Sequence, residues 1–280
     1  MLYPAELRDR PGFLIAKVAV DEGGMTKAAA SVLMLLALVA CGAKAPMPGL
    51  EAGERGRVVR VVDGDVLMLN GGQTVRLASL EAPRLARRDA EAEPHAESAR
   101  DMLETLSLGR DVQLYYPGLT RDRYDRAIAH VLTRDGRGPP VWLNQVLLRQ
   151  GAARVRLYPD TDAGADALFA AETEARLARR GLWALSVYQP KPVAALDPAG
   201  ARFGLVHMSF GPVLPDAAGS DDRDACVRAV SGTDMVVRVS RAAAAVCEAP
   251  ADAVYEVRGR VRGGELLLTH PRHAVPLREP

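Results

Sequence analysis

An excess of charge of one sign is the first thing missing from this sequence. There are 36 Lys and Arg against 35 Asp and Glu, a formal net charge of +1. No global field therefore draws in nucleic acid, and any nucleic-acid site has to be a local basic patch. Aromatic residues are scarce, at 5%. No apolar run approaches the roughly 20 residues that a membrane-spanning helix needs. The five histidines, His95, His130, His207, His270 and His273, lack zinc-ligand spacing. The Ser and Cys residues show no nucleophile-elbow pattern, and glycine-rich nucleotide loops are absent. No repeat of clear period is visible.

Cysteine is also rare, with three in 280 residues, and their positions point to export. From Met25 the chain reads M-T-K-A-A-A-S-V-L-M-L-L-A-L-V-A-C-G. Lys27 supplies a positive start, and residues 28–40 are uninterrupted small and apolar side chains. That stretch suits the core of a signal peptide. It closes on Leu38-Val39-Ala40-Cys41-Gly42, which resembles a bacterial lipobox. The expectation is a lipoprotein signal peptide over 25–41, with Cys41 lipidated and anchoring the protein to a membrane of the cell envelope. Plain secretion is the alternative. Residues 1–24 carry Glu6, Arg8, Asp9, Arg10, Asp21 and Glu22 and read as an extension ahead of the true start. In an exported protein Cys226 and Cys247 form a natural disulfide pair; two small buried thiols are the other reading.

Segments 42–54 and 188–200 read as a tether and a linker, from their Pro and Gly content. Between them, 55–187 reads as one domain. Runs at 57–62 and 66–69, split by Asp63-Gly64, and a third at 74–80 after Asn70-Gly71-Gly72, predict a three-stranded meander. A helix is expected over 94–108, with Ala96, Ala99, Leu103 and Leu106 on one face. Strands follow at 111–116 and 126–133, then helices at 143–150 and 165–180, the last with Leu168, Ala171, Ala175 and Ala178 inward. Five strands with three helices make an α+β unit, a five-stranded barrel of the OB-fold type. Segment 201–280 carries β-rich runs at 203–210, 235–239, 254–261 and 265–269. It reads as a smaller OB-like β domain.

Three phrases then carry a resemblance: Val61-Val62-Asp63-Gly64-Asp65, Val-Arg-Leu-Ala-Ser-Leu-Glu-Ala-Pro at 75–83, and Asp-Arg-Tyr-Asp-Arg-Ala-Ile-Ala-His-Val at 122–131. Together with Leu-Leu-Arg-Gln-Gly-Ala-Ala-Arg-Val at 147–155 and Arg-Arg-Gly-Leu-Trp at 179–183, they resemble the staphylococcal nuclease (thermonuclease-like) family. The resemblance implies hydrolysis of DNA or RNA phosphodiesters with Ca²⁺. It places Asp65 and Glu81 as the carboxylate metal ligands and the Ala82 carbonyl as the backbone one. Arg76 and Arg126 match the family's phosphate-binding arginines, a role suited to the planar guanidinium fork. Tyr124 either contacts the nucleotide or simply packs. Asp63 reads as turn chemistry. Asp125 replaces the glycine usual in its phrase.

One departure is decisive: the position of the family's catalytic glutamate carries Arg84. An arginine stays protonated and cannot take a proton from water. Glu81 serves as base instead, or a carboxylate of the next loop (Asp89, Glu91, Glu93) does, or Arg84 is a third phosphate clamp. The basic-patch candidates are Arg84, Arg87 and Arg88, then Arg121, Arg123 and Arg126. The expected function is metal-dependent phosphodiester hydrolysis; the alternative is an impaired nuclease-fold module binding nucleic acid or an envelope partner.

Overall fold

The computed structural model describes residues 47, 49–88, 90–159, 161–196, 203–215, 223–251 and 253–277. The extension, the signal peptide with Cys41, and Asp89 lie outside these residues. Among the described residues no helix is long and apolar enough to cross a membrane.

The first barrel is closed in the order β1-β2-β3-β6-β5. Its strands are β1 (Glu51–Asp63), β2 (Val66–Leu69), β3 (Thr74–Leu77), β5 (Asp111–Tyr116) and β6 (Ala127–Thr133). The short β4 (Leu80–Glu81) leaves the barrel and pairs with β7 (Arg154–Val155). Inward positions alternate as a strand requires: Val75 and Leu77 are buried, while Thr74 and Arg76 are half-buried. β6 is buried along its whole length, because helix α2 (Leu143–Arg149) covers its outer face. Buried Asn144 fastens that helix, accepting from Val131 N and donating to the Ala78 carbonyl, both at 2.9 Å.

Helix α1 (Ala96–Ser107) buries Ala96, Ala99 and Leu103. It packs on β1. Gly64 makes this approach feasible: a Cβ there would lie 2.8 Å from the Ala82 Cβ and 2.9 Å from the Ala99 Cβ. Helix α3 (Ala165–Leu177) stops short of the expected residue 180, and Ala178 is exposed rather than inward. Arg179 takes φ +50° and Arg180 N–H turns back to the Ala175 carbonyl at 2.9 Å, closing the helix in a C-terminal cap.

Two boundaries need correction. The tether ends before 51, because Glu51 and Ala52 pair with Tyr116 and Tyr115 of β5. This end of β1 is mostly exposed, so no apolar period marks it. The linker is also partly structure: Tyr188 is buried and its hydroxyl donates to the Pro94 carbonyl at 2.6 Å. Beyond it, β8 (Lys191–Pro192) pairs with Val206 and His207 as an edge strand, where proline is tolerated.

The second barrel repeats the topology of the first. Strands β9 (Phe203–Val213), β10 (Asp224–Val230), β11 (Val236–Ser240), β12 (Val254–Arg262) and β13 (Glu265–Leu268) run β9-β10-β11-β13-β12, and β12 closes on β9. In both barrels the third and fifth strands are parallel, β3 with β6 and β11 with β13. A last strand, β14 (Ala274–Pro276), pairs with β12. β10 and β14 are additional to the expected strands. Arg228 interrupts the apolar run of β10, yet it is buried, its guanidinium donating to the carbonyls of Gly211, Val246 and Ala249. Cys226 on β10 is bonded to Cys247 in the 3₁₀ turn Arg241–Glu248, with Cα atoms 6.1 Å apart.

Direct contacts join the barrels. Arg258 pairs with Glu172 at 2.5 Å, and Arg176 pairs with Glu256 at 2.6 Å. Leu157 N–H donates to His273 Nε2 at 2.9 Å.

Candidate nucleic-acid cleft

A cleft of about 740 Å³ opens where β3, β4 and the β1–β2 turn meet the loop before β6. Asp65, Arg76, Glu81, Ala82, Arg84, Tyr124 and Arg126 all line it. The fold brings these residues together through two local devices. Gly64 lets the turn carrying Asp63 and Asp65 sit against Ala82. Ser79, at φ +62°, turns the chain out of β3 so that Glu81 reaches the cleft, and its hydroxyl donates to the Thr161 carbonyl at 2.6 Å.

Nine arginines and four carboxylates line the cleft, a local excess of five positive charges. It is a local basic patch of the kind a nucleic-acid site needs in a chain of net charge +1. Of the candidate patch residues, Arg84, Arg87, Arg121, Arg123 and Arg126 are in the lining; Arg88 is not.

Glu81 sits at the centre. Its Oε1 lies 3.4 Å from Arg84 Nη2 and 3.3 Å from Arg260 Nη2. Its Oε2 contacts Arg156 and lies 3.9 Å from Arg76 Nη2. Burial pushes the Arg156 guanidinium down to about 10, with Arg260 and Arg76 acting in the same direction and Tyr158 opposing. It remains charged at neutral pH. Asp65 is buried 3.8 Å from Arg76. Burial raises its pKa above the usual carboxylate range and Asp63 adds to that, while Arg76, the Ala82 backbone N–H and Arg126 oppose. Asp63 accepts from its own turn, Gly64 N–H, at 2.9 Å, in keeping with a turn role.

Arg126 is held by Asp122. Its Nε donates to Asp122 Oδ2 at 2.7 Å, and Asp122 Oδ1 accepts the backbone N–H groups of Tyr124 and Arg126. Asp125 takes φ +60°, the conformation for which glycine is usual. Tyr124 is 65% exposed, so packing does not account for it; the Arg123 and Arg126 guanidiniums lie over its ring at 4.9 and 5.4 Å.

Calcium takes about six to eight oxygen ligands, and this cleft does not fit it. Both oxygens of Glu81 are already engaged by guanidiniums. A cation joining Asp65 and Glu81 would stand among Arg76, Arg84, Arg156 and Arg260. Repulsion between two unit charges 4 Å apart costs about 4 kcal/mol at an effective dielectric of 20. Ala82 is buried beside Asp65, but it is its amide that faces that carboxylate. Among the loop carboxylates, Glu93 accepts from Arg84 N at 3.0 Å and does not line the cleft.

Sequence reasoning missed Arg156, Tyr158, Arg260 and Arg262, which all line the cleft. Arg76 Nη1 donates to the Tyr158 hydroxyl at 3.3 Å. A signal was present on β12, where Glu256, Arg258, Arg260 and Arg262 alternate with Tyr255, Val257 and Val261. Such alternation marks one charged strand face.

The comparisons with known proteins concern the family. Residues 74–185 match the family model described as staphylococcal nuclease homologue. A protein of Escherichia coli named an uncharacterized endonuclease is 34% identical over 139 residues, covering 49% of this chain and 81% of that one. The thermonuclease of Staphylococcus intermedius is 28% identical over 134 residues, covering 47% of this chain and 77% of its own. With a barrel of the expected topology, an arginine cleft at the expected phrases and these relatives, the chain belongs to the staphylococcal nuclease homologue family.

Proposed function

We propose that the protein grips the phosphodiester backbone of nucleic acid in the arginine cleft and hydrolyses it slowly. The observation that carries this reading is the guanidinium cluster around Glu81. In this reading Arg76 and Arg126, joined by Arg84 and Arg156, supply the phosphate-binding half of a nuclease site, which their shared place in the cleft lining supports. The half that activates water is not: position 84 is an ion-pair donor, and Glu81 is engaged on both oxygens. Phosphate oxygens suit this surface because each guanidinium offers two parallel donors. A positioned general base is worth about 10²–10⁴-fold, which is the scale of the missing rate.

A second reading, brisk metal-dependent cleavage as in the resemblance, needs Arg84, Arg156 and Arg260 to leave Glu81; the one observation on its side is that Asp65 is retained beside Arg76. Cleavage of labelled single- and double-stranded DNA by the purified full chain separates the two. It is run with Ca²⁺, with chelator, and beside Arg84→Glu. The first reading expects binding with little turnover, and faster cleavage after Arg84→Glu. Rapid cleavage by the unaltered protein, abolished by chelator, would establish the second. Absence of binding would overturn both.

The same reading places the protein outside the cytoplasm, anchored through a lipid on Cys41. The apolar stretch ending at Cys41 and the Cys226–Cys247 disulfide support an oxidising, exported setting. Fatty-acid labelling that survives Cys41→Ala would refute the anchor.

A further inference from the structure

One face of β12 points at the first barrel and ends in its cleft. Residues 256, 258, 260 and 262 share that face, while Tyr255, Val257 and Val261 fill the second barrel's own core. Along the face, Glu256 pairs with Arg176 at 2.6 Å and Arg258 pairs with Glu172 at 2.5 Å, both on α3. Arg260 comes next and reaches Glu81 at 3.3 Å. Arg262 follows, exposed at the cleft lining.

We propose that the second barrel is part of the substrate-binding surface: Arg260 and Arg262 form a further phosphate subsite that takes two successive backbone phosphates, one on each guanidinium, beyond the one held by Arg76 and Arg126. This rests on the reading of the cleft as a phosphodiester site. The first two pairs of the ladder fix the strand's register against α3, so the last two arginines are delivered to the cleft by rigid structure. Residues two apart on a strand lie roughly 6.6 Å apart along its axis, close to the spacing of successive phosphates in an extended single strand. The ligand class is therefore a polynucleotide longer than one nucleotide, single-stranded at the cleft.

Affinity and its salt dependence test the subsite, with thymidine bisphosphate and a longer oligothymidylate as probes and the full chain as protein. Removing one arginine–phosphate pairing to a single strand lowers the slope of log K against log salt by about 0.7, which is about fivefold in affinity near 0.1 M salt. Arg262→Ala, an exposed position, should produce that decrease for oligothymidylate and shrink its advantage over thymidine bisphosphate. Arg262→Glu should do more. An unchanged slope and an unchanged advantage in both variants would overturn the subsite. If Arg126→Ala also leaves both probes unaffected, it is the phosphodiester reading that fails; if Arg126→Ala weakens both while the Arg262 variants do nothing, only the subsite fails.

Discussion

Arg84 lies 3.4 Å from Glu81, three residues before it in the chain. The residue at the family's base position is thus an ion-pair partner of the residue at its metal position. The guanidinium at 84 thereby holds the carboxylate of Glu81 among cations.

Glu81→Gln removes a charge that Arg76, Arg84, Arg156 and Arg260 share. Breaking a buried ion pair from one side costs about 3–5 kcal/mol, so chemical denaturation should show a loss of that order. Affinity for oligothymidylate should rise, because the released guanidiniums become available to phosphate. Reduced affinity would mean that Glu81 recruits a cation for the substrate.

Arg126→Ala should weaken oligothymidylate binding by about 2 kcal/mol, the worth of hydrogen bonds to a charged group. Arg126→Lys should recover only part of this, because the ammonium cannot reproduce the fork. Fluorescence anisotropy reads both. Equal affinity in all three proteins would remove Arg126 from the phosphate site.

Acid should destabilise the protein well above the carboxylate range. Burial pushes His130 and His273 from the ordinary 6.5 to about 3. Neither His130 ring nitrogen has a hydrogen-bond partner, and His273 Nε2 accepts from Leu157 N–H across the barrels. Below 6.5 the unfolded chain takes up protons that the folded chain refuses. The stabilisation is complete above 6.5 and is lost as pH falls toward 3. At about 1.4 kcal/mol per pH unit per histidine, the loss by pH 5 is about 2 kcal/mol for each. Urea midpoints against pH check this, with His273→Gln expected to flatten the slope.

Gly64→Ala should both destabilise the protein and disturb the cleft. Its Cβ meets Ala82 and Ala99 below 3.0 Å, and overpacking of this kind costs about 1–3 kcal/mol. Binding should fall with stability, since Asp65 is carried by the same turn. A variant with normal stability and affinity would show that the turn adjusts freely.

Replacing Cys226 and Cys247 together by Ala should cost about 3 kcal/mol for a closed loop of this length, 21 residues apart in sequence. Because β12 belongs to the same barrel, oligothymidylate binding should also weaken. Thermal unfolding followed beside binding reads the two effects separately.

The first barrel was legible because its signals are local. Turn residues such as Asn70-Gly71-Gly72 and apolar alternation such as Val75 and Leu77 depend only on near neighbours, and the structure places strands β2, β5 and β6 at or within a residue of the expected positions, while β3 ends at Leu77, three residues before the expected 80, because Ser79 turns the chain out of the barrel. Seven residues expected at the site, Asp65, Arg76, Glu81, Ala82, Arg84, Tyr124 and Arg126, meet in one cleft because the family phrases carry them there in order. Strand β10 escaped because the carbonyls that satisfy Arg228 come from other parts of the fold.

What the chain's order determined by itself was the kind of barrel and the presence of an arginine where a base belongs; it left Cys226 and Cys247 as either a disulfide or two thiols, and the structure shows the bond. Tertiary structure alone decided three things: that the second barrel repeats the strand order of the first, that Glu81 is encircled by guanidiniums, and that β12 delivers Arg260 to it. Arg260 and Glu81 are 179 residues apart in sequence. No local pattern encodes such a meeting, because it follows from how two closed barrels dock, and docking is set by side chains such as Glu172, Arg258, Arg176 and Glu256 that read in sequence as ordinary surface charge.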